Sequence, residues 1–380
     1  MKCIWEDLQA IMMKLKDSSV PIRLLSNLRA YILMRQTMAG KKDIVVREYP
    51  QQHYKTIFNQ KTGFFVRMED RGYEEPFWCE TGPELLDVSI TNYCERRCKF
   101  CYRDSSLMGQ HMRMNDMEKI VKEAAQLGVL QIALGGGNPN QHPHFTSILK
   151  LIRDYNIIPS FTTNGDYLTD DILDATKRYC GAIAISAYPP FDDSFATKIK
   201  TVARYIKTNL HFILKSDTID IANQWLTNPP DFLEDINAII FLNYKPIKPI
   251  TDLRIKDSNK IVTFFQNVQN CKSLKIGFDS CSVAGIVHNM EVDNVFIESC
   301  EAARFSAFIS ENMKMYPCSF MTNTVYYGDL RTESIGSIWK HNQYFINHRF
   351  QIKNHNCHSC KYATFCNGGC VYMPETNFCI

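Results

Sequence analysis

Six short apolar runs, rich in β-branched and aromatic residues, punctuate the middle of the chain at residues 85–90, 129–134, 157–162, 182–187, 210–214 and 236–242. After the first they recur about every 25 to 28 residues. The segments between them carry a helical period instead. Met117, Ile120, Val121, Ala124 and Leu127 form one stripe, and Phe195, Ile199, Val202, Ala203 and Ile206 another. Asn115, with Glu118 three residues on, reads as a capping box that opens the first of these helices. Strands alternating with helices at this spacing predict βα units and a parallel sheet, an α/β fold. Periodicity alone leaves open whether the sheet is curled or doubly wound. Upstream, Leu8, Ile11, Met12 and Leu15 recur at helical spacing, as do Ile22, Leu25, Leu28, Ile32 and Leu33. Residues 56–58 and 64–68, around Asn59 to Gly63, predict a hairpin with a Lys-Thr-Gly turn.

Length and composition narrow the function. The 380 residues suffice for two or three domains, or for one barrel with additions. Lys and Arg total 43 against 40 Asp and Glu, which leaves no nucleic-acid footprint. No apolar run approaches the length that crosses a bilayer, so no membrane partner is expected. Residues 1–17 mix Glu6, Asp7 and several lysines into their apolar pattern, unlike a signal peptide, and the expected location is cytoplasmic. Fifteen cysteines is the unusual number. An odd count in a large chain argues against a disulfide framework and for metal or cluster ligation in a reducing compartment.

Cys94, Cys98 and Cys101 stand at C-x3-C-x2-C spacing just after the first predicted strand. Three thiolates so close can converge on one iron–sulfur cube and leave its fourth iron without a protein ligand. Sites in parallel α/β folds collect at the carboxyl ends of the strands. The second run ends in Gly135-Gly136-Gly137-Asn138-Pro139, the third in Thr162-Thr163-Asn164-Gly165, and the fourth in Ser186-Ala187-Tyr188. The fifth and sixth end in Lys215-Ser216-Asp217 and Asn243-Tyr244-Lys245, which would face the same mouth, although plain loop polarity explains them as well. A Gly-rich turn after a strand is most often only a turn; four motifs in order at four strand ends are more than that.

With Phe100 before its last Cys, this pattern resembles the radical SAM superfamily. The resemblance implies a partial (β/α)6 TIM-like barrel and a [4Fe–4S] cluster on Cys94, Cys98 and Cys101. The open iron of that cluster would bind S-adenosylmethionine (SAM). It further implies SAM contacts from Phe100, Gly135, Gly136, Gly137, Asn138, Thr163, Asn164 and Ser186. Asn138 stands where the family motif has Glu, and backbone carbonyls there could still accept from the SAM ammonium.

Beyond residue 270 the cysteine density rises. The tail reads Cys357-x2-Cys360-x5-Cys366-x3-Cys370-x8-Cys379, preceded by Cys281, Cys300 and Cys318. A zinc-ribbon site would use four of these and leave four spare. Eight divide evenly into two four-Cys clusters. The array resembles the SPASM domain, which holds two auxiliary [4Fe–4S] clusters. By that resemblance Cys281, Cys300, Cys318 and Cys370 hold the first, and Cys357, Cys360, Cys366 and Cys379 the second. Spacing alone would give Cys370 to its neighbours. Tyr316-Pro317-Cys318 fits the family's habit, but the Gly usual a few residues earlier is missing. Cys3, Cys79, Cys180 and Cys271 are left over and read as free, buried or half-buried thiols. His142 and His144, flanking Pro143, read as helix-start or supporting residues. The implied layout is a cap or leader-peptide-binding region over 1–83, the barrel over 84–270 and the auxiliary-cluster region over 271–380.

The resemblance also implies a chemistry. A flavodoxin- or ferredoxin-like donor supplies one electron, SAM is cleaved, and a 5′-deoxyadenosyl radical removes a hydrogen atom from the substrate. Auxiliary clusters would take up the second electron, which favours a net oxidation. The preferred substrate is a ribosomally made precursor peptide, joined through a thioether or carbon–carbon crosslink. In sulfatase-maturing relatives an Asp follows the cysteine that here is Cys318; Ser319 stands in its place and disfavours formylglycine formation. Asp217, Asp279 and Tyr188 are candidate bases. The alternatives are a peptide epimerase, with a spare thiol as hydrogen donor, or a small-molecule dehydrogenase, whose extension is usually shorter. A non-catalytic zinc or iron–sulfur protein would explain residues 357–379 but not the order of motifs at the strand ends.

Overall fold

The computed structural model describes residues 43–247, 252–292, 297–357 and 359–379. The helical stripes expected at residues 8–15 and 22–33 lie outside them. The chain divides into two compact units, with the main break between Glu75 and Pro76 and a short later segment, ending at Ile297, grouped with the first.

The first unit contains a three-stranded antiparallel sheet of β1 (Ile44–Tyr49), β2 (Tyr54–Asn59) and β3 (Phe65–Glu69). The β2–β3 pair is the expected hairpin, closed by Asn59 N donating to Phe64 O at 2.8 Å and Gly63 N donating to Asn59 O at 2.8 Å. Gly63 takes φ +77, a left-handed turn that a residue with a Cβ adopts only at a cost. β1 escapes the sequence pattern because Arg47 and Glu48 interrupt its apolar residues.

The second unit is built on parallel strands whose order in space follows their order in the chain. These are β4 (Leu85–Thr91), β5 (Gln131–Gly136), β6 (Ile158–Thr163), β7 (Ala182–Ala187), β8 (Lys207–Leu214) and β9 (Ala238–Asn243). β10 (Ile276–Phe278) adds to β9 in parallel. On the other edge β11 (Ser306–Ile309) pairs in parallel with β4, followed by antiparallel β12 (Lys314–Tyr316) and β13 (Gly328–Asp329). A doubly wound sheet would reverse direction at a switch point. From β4 to β10 the order runs one way without such a reversal, as in the wall of a partial barrel, and β11 to β13 extend its other edge.

Helices α1 (Met114–Leu127), α2 (Phe145–Asp154), α3 (Asp170–Tyr179), α4 (Asp193–Tyr205) and α5 (Ile219–Thr227) connect successive barrel strands. α6 (Ser258–Asn270) follows β9. Their apolar stripes form one continuous core with alternate strand residues. Met117, Ile120, Val121 and Ala124 of α1 are buried together with Leu86, Val88 and Ile90 of β4. Strand alternation then turns Asp87, Ser89 and Thr91 to the opposite face.

α1 starts earlier than the capping-box reading of Asn115 proposed. Its N-cap is Arg113, which makes no side-chain cap. Arg113 instead forms a two-point ion pair with Asp116 in the first turn, at 2.8 and 3.1 Å. Asp116 at the N-terminus also meets the positive end of the helix dipole, so the fork supplies what the cap would have.

In the Cys-rich region α7 (Val283–Asn289), α8 (Ile335–His341), α9 (Gln343–Lys353) and α10 (Ala363–Cys366) are short, with loops between them. α8 and α9 bury Trp339 and Phe345. Arg349 of α9 stacks its guanidinium 3.7 Å from the Trp78 ring and donates to Ala303 O at 2.6 Å and Trp339 O at 2.7 Å. A buried guanidinium answered in this way pins the region to the barrel edge.

Candidate active site

At the carboxyl ends of the barrel strands lies a cavity of about 300 Å³, the size of a small-molecule site. Cys94, Cys98 and Cys101 line it together with Phe100, Gly135, Gly136, Gly137, Thr163, Asn164, Ser186 and Tyr188. Eleven residues from four sequence motifs thus meet in one place.

The cluster loop and the glycine loop are sewn together through the backbone. Gly137 N donates to Thr91 O at 2.7 Å and Asn138 N to Tyr93 O at 3.0 Å. This close approach is why glycine is needed: a Cβ on Gly137 would stand 2.0 Å from Tyr93 O. Gly137→Ala should therefore cost about 1–3 kcal/mol, as overpacking does. A drop in the thermal midpoint would register it, and an unchanged midpoint would show that the two loops can part without cost. At Gly135 the reverse holds, since a Cβ would meet nothing within 4 Å and would project into open space.

Asn138 is buried behind this loop rather than lining the cavity. Its Oδ1 accepts from Thr163 Oγ1 at 2.8 Å and from Asn164 N at 3.1 Å, so it fixes the corner of β6. Its Nδ2 is buried without a hydrogen-bond partner. Phe100 is braced on two sides, by the Tyr188 ring edge at 5.2 Å and the Lys215 ammonium at 4.9 Å. Arg96 lies 5.1 Å from the Tyr188 ring. Lys215 is buried and pairs with Asp217, which turns outward and does not line the cavity. Tyr188 hydrogen-bonds to Ser186, and burial pushes its phenol well above the usual range.

Arg103 ties the cluster loop to the sheet edge. Its Nη2 donates to Glu311 Oε2 at 2.8 Å, and the same oxygen accepts from Ser89 Oγ at 2.8 Å.

Residues that the sequence reading missed complete the wall. Asp87 of β4, His211 and Ile213 of β8, Leu242 of β9, Phe308 of β11 and Tyr102 line the cavity, beside Ser319, which the sequence had singled out. Burial, reinforced by Glu301, pushes the Asp87 carboxyl up to about 7. Burial lowers His211 to about 4 and leaves a neutral imidazole 3.3 Å from Thr162 Oγ1. The signal was a polar residue inside an otherwise apolar strand, at the phase that faces away from the helices. Ser319 hydrogen-bonds Tyr102, whose phenol burial lifts to about 12.

The C-terminal thiols fall into two neighbourhoods. Cys281 feels the charge of Cys300 and Cys318, and Cys300 and Cys318 each feel that of Cys370. Cys366 and Cys379 instead feel Cys357 and Cys360. Burial pushes Cys300 up to about 11, Cys318 to about 12 and Cys366 to about 11. Thiols held protonated in this way need a bound cation to become thiolates. Among the described residues no three His, Cys, Asp or Glu side chains converge tightly enough for a single metal ion. Asp279 belongs to this region and not to the cavity: Asn243 N donates to it at 3.0 Å and Ser282 Oγ at 2.7 Å. Its carboxyl is raised to about 6, first by burial.

Of the leftover cysteines, Cys79 is buried, with its carbonyl accepting from Trp339 Nε1 at 2.7 Å. Burial lifts Cys180 to about 12, an inert thiol. His142 Nε2 lies 2.8 Å from Met112 O, and its Nδ1 accepts from His144 N at 3.0 Å just before α2, a helix-start role.

Comparison with known proteins agrees with this geometry. Residues 88–213 match the model of the Radical SAM superfamily, and residues 300–361 match SPASM, an iron–sulfur cluster-binding domain. The chain therefore carries a radical SAM domain and a SPASM domain. The three cavity thiols suit the [4Fe–4S] cluster and SAM of the first family, and the second match is to a domain that binds iron–sulfur clusters.

Streptococcus suis SuiB bound to S-adenosylmethionine has the same fold, at TM-score 0.67 and 15% identity over 88% of this chain and 96% of that one. Native anSMEcpe with bound AdoMet and Cp18Cys peptide follows at TM-score 0.56 and 17% identity, over 75% and 88% of the two chains. In sequence, the probable GTP 3′,8-cyclase of Pyrococcus abyssi is 36% identical over 84 residues, which are 22% of this chain and 28% of that protein. The PqqA peptide cyclase of Ruegeria pomeroyi is 28% identical over 112 residues, 29% of this chain and 30% of that protein. The matched stretch thus spans under a third of either curated relative. Among the described residues no helix is long and apolar enough to cross a membrane.

Proposed function

We propose that the protein oxidises or crosslinks a residue of a ribosomally made precursor peptide, forming a thioether or carbon–carbon bond. The observation that carries this reading is the pairing of one SAM-sized cavity with two separate four-thiol neighbourhoods. Two auxiliary clusters suit a net two-electron oxidation better than a redox-neutral reaction. SuiB, which shares the fold, is also solved bound to its precursor peptide SuiA. anSMEcpe is solved with a peptide, and PqqA peptide cyclase is a curated relative.

In this reading Cys94, Cys98 and Cys101 hold the SAM-binding cluster. Cys281, Cys300, Cys318 and Cys370 hold the first auxiliary cluster, and Cys357, Cys360, Cys366 and Cys379 the second. The glycine loop offers carbonyls to the SAM ammonium, and Asn164 and Ser186 bind its polar groups. When bound, SAM and its cluster supply the one-electron route to hydrogen-atom removal. The protein's part is to hold, orient and keep water out. Asp87 is preferred as proton acceptor to the candidate bases of the sequence reading, because it lines the cavity and Asp217 and Asp279 do not, and because burial pushes the Tyr188 phenol well above the usual range. Its carboxylate Oδ takes the proton that the substrate sheds on oxidation; clusters held by the two thiol sets would supply the acceptor for the electron that goes with it. The region before residue 84 is a cap or a leader-peptide-binding region, and a flavodoxin- or ferredoxin-like protein supplies electrons.

The test is anaerobic incubation of the enzyme with SAM, a strong reductant and short peptides encoded beside its gene, followed by mass spectrometry. Loss of two hydrogens from one peptide, with formation of 5′-deoxyadenosine, is the expected result. An unchanged mass with deuterium taken up from heavy water would replace oxidation by epimerisation.

A further inference from the structure

Past Leu242, which lines the cavity, the chain at the end of β9 turns to the auxiliary region. Asn243 Nδ2 donates to Cys281 O at 3.1 Å and to Thr376 O at 2.9 Å, which binds the strand end to the auxiliary region. Two residues on, Lys245 is only 3% exposed. Its ammonium donates to Thr376 Oγ1 at 2.5 Å and hydrogen-bonds the sulfur of Cys370. It also lies within the field of Cys281 and Asp279. The Cys370 sulfur takes a second donor, Met373 N, at 3.3 Å.

An ammonium buried this deeply is costly unless negative charge answers it. Asp279 is one answer, but its carboxylate already accepts from Asn243 N and Ser282 Oγ. The ammonium's other neighbours are thiols of the first auxiliary set, which carry negative charge once they ligate a cluster. Next to the same set, Arg304 Nη1 donates to Cys300 O at 3.1 Å and Ser299 Oγ at 2.7 Å. A cube on four thiolates is an anion, and its reduction adds one more negative charge. A fixed cation beside it favours the reduced state, and a hydrogen bond to a ligating sulfur draws density from the iron in the same direction.

We propose that Lys245 sets the reduction potential of the cluster on Cys281, Cys300, Cys318 and Cys370, raising it so that this cluster accepts the electron left by substrate oxidation. The inference rests on the thiol assignment under the proposed function. The balance is simple: the substrate, having lost a hydrogen atom to the SAM-derived oxidant, gives one electron to the oxidised cluster and one proton to Asp87. Lys245 acts through the cluster and is a positioning residue, with Asp279 as the opposing charge.

The test uses the full chain with Cys94, Cys98 and Cys101 changed to Ala, reconstituted anaerobically with iron and sulfide. A potentiometric titration is followed by electron paramagnetic resonance, and the signal read is the one that Cys300→Ala removes. Lys245→Met should weaken reduction of that cluster at least tenfold, a fall of about 59 mV for one electron. Lys245→Arg should fall less. A retained cluster with an unchanged potential in Lys245→Met overturns the inference. If Lys245→Met loses the cluster, Lys245→Gln is read in its place. If both neutral variants lose it, a cluster kept near the wild-type potential in Lys245→Arg upholds the need for charge, and loss in all three overturns it. If Cys300→Ala removes no signal, the thiol assignment fails first and the inference falls with it.

Discussion

Alanine at Cys94, Cys98 and Cys101 together is expected to abolish reductive cleavage of SAM while leaving the fold in place. The three thiols sit on a half-exposed loop, whereas the core is formed by the barrel strands and helices. Iron should fall by about four atoms per chain, one cube, with the auxiliary signals intact. The loop itself is held by other groups, with Cys94 N donating to Ser106 O at 3.1 Å and Arg103 paired with Glu311. The thermal midpoint should therefore move little in the cluster-free protein. 5′-Deoxyadenosine assay and iron analysis check both halves. Residual cleavage in the triple variant would mean that SAM is bound and reduced elsewhere.

Asp87→Asn is the second change with a large expected effect. General-base groups contribute about 10²–10⁴-fold in rate, and the peptide-oxidation kcat should fall within that range. Asn keeps the shape of the side chain, so SAM binding should hold. The wild-type carboxyl titrates near 7, raised by burial and by Glu301. A base must be deprotonated to act, so kcat should rise with pH through about 7 and level off above it. The Asn variant should lack that rising limb. It should also uncouple the reaction, forming 5′-deoxyadenosine in excess over modified peptide. Full product yield with the limb intact would remove Asp87 from the mechanism.

The barrel was legible because each strand is a short apolar run and each helix a stripe, and the two periods differ. All six expected runs overlap observed strands. What periodicity could not tell, curled or doubly wound, was settled by pairing partners far apart in sequence. β10 and β12 were missed because three residues cannot show an alternation, and β13 because two cannot. The cysteines, glycines and Thr163-Asn164 corner were legible because backbone approach and metal ligation demand particular residue types. Asp87 and His211 were not, since a lone polar residue within an apolar strand reveals its side only when the neighbouring strands are in place. The end of β9 shows the opposite lesson. Asn243 and Lys245 look like cavity residues by position, yet the chain after β9 turns them toward Thr376 and Cys370.

The most direct measurement is a count of iron and acid-labile sulfide per chain after anaerobic reconstitution, with zinc measured alongside. Three thiols at the cavity and two sets of four beyond it predict about 12 of each, three cubes of four. Alanine at Cys300 and Cys318 should remove about four of each, and alanine at Cys357 and Cys360 another four. Zinc without sulfide, or iron that stops at two cubes whichever set is changed, would contradict the division of these thiols.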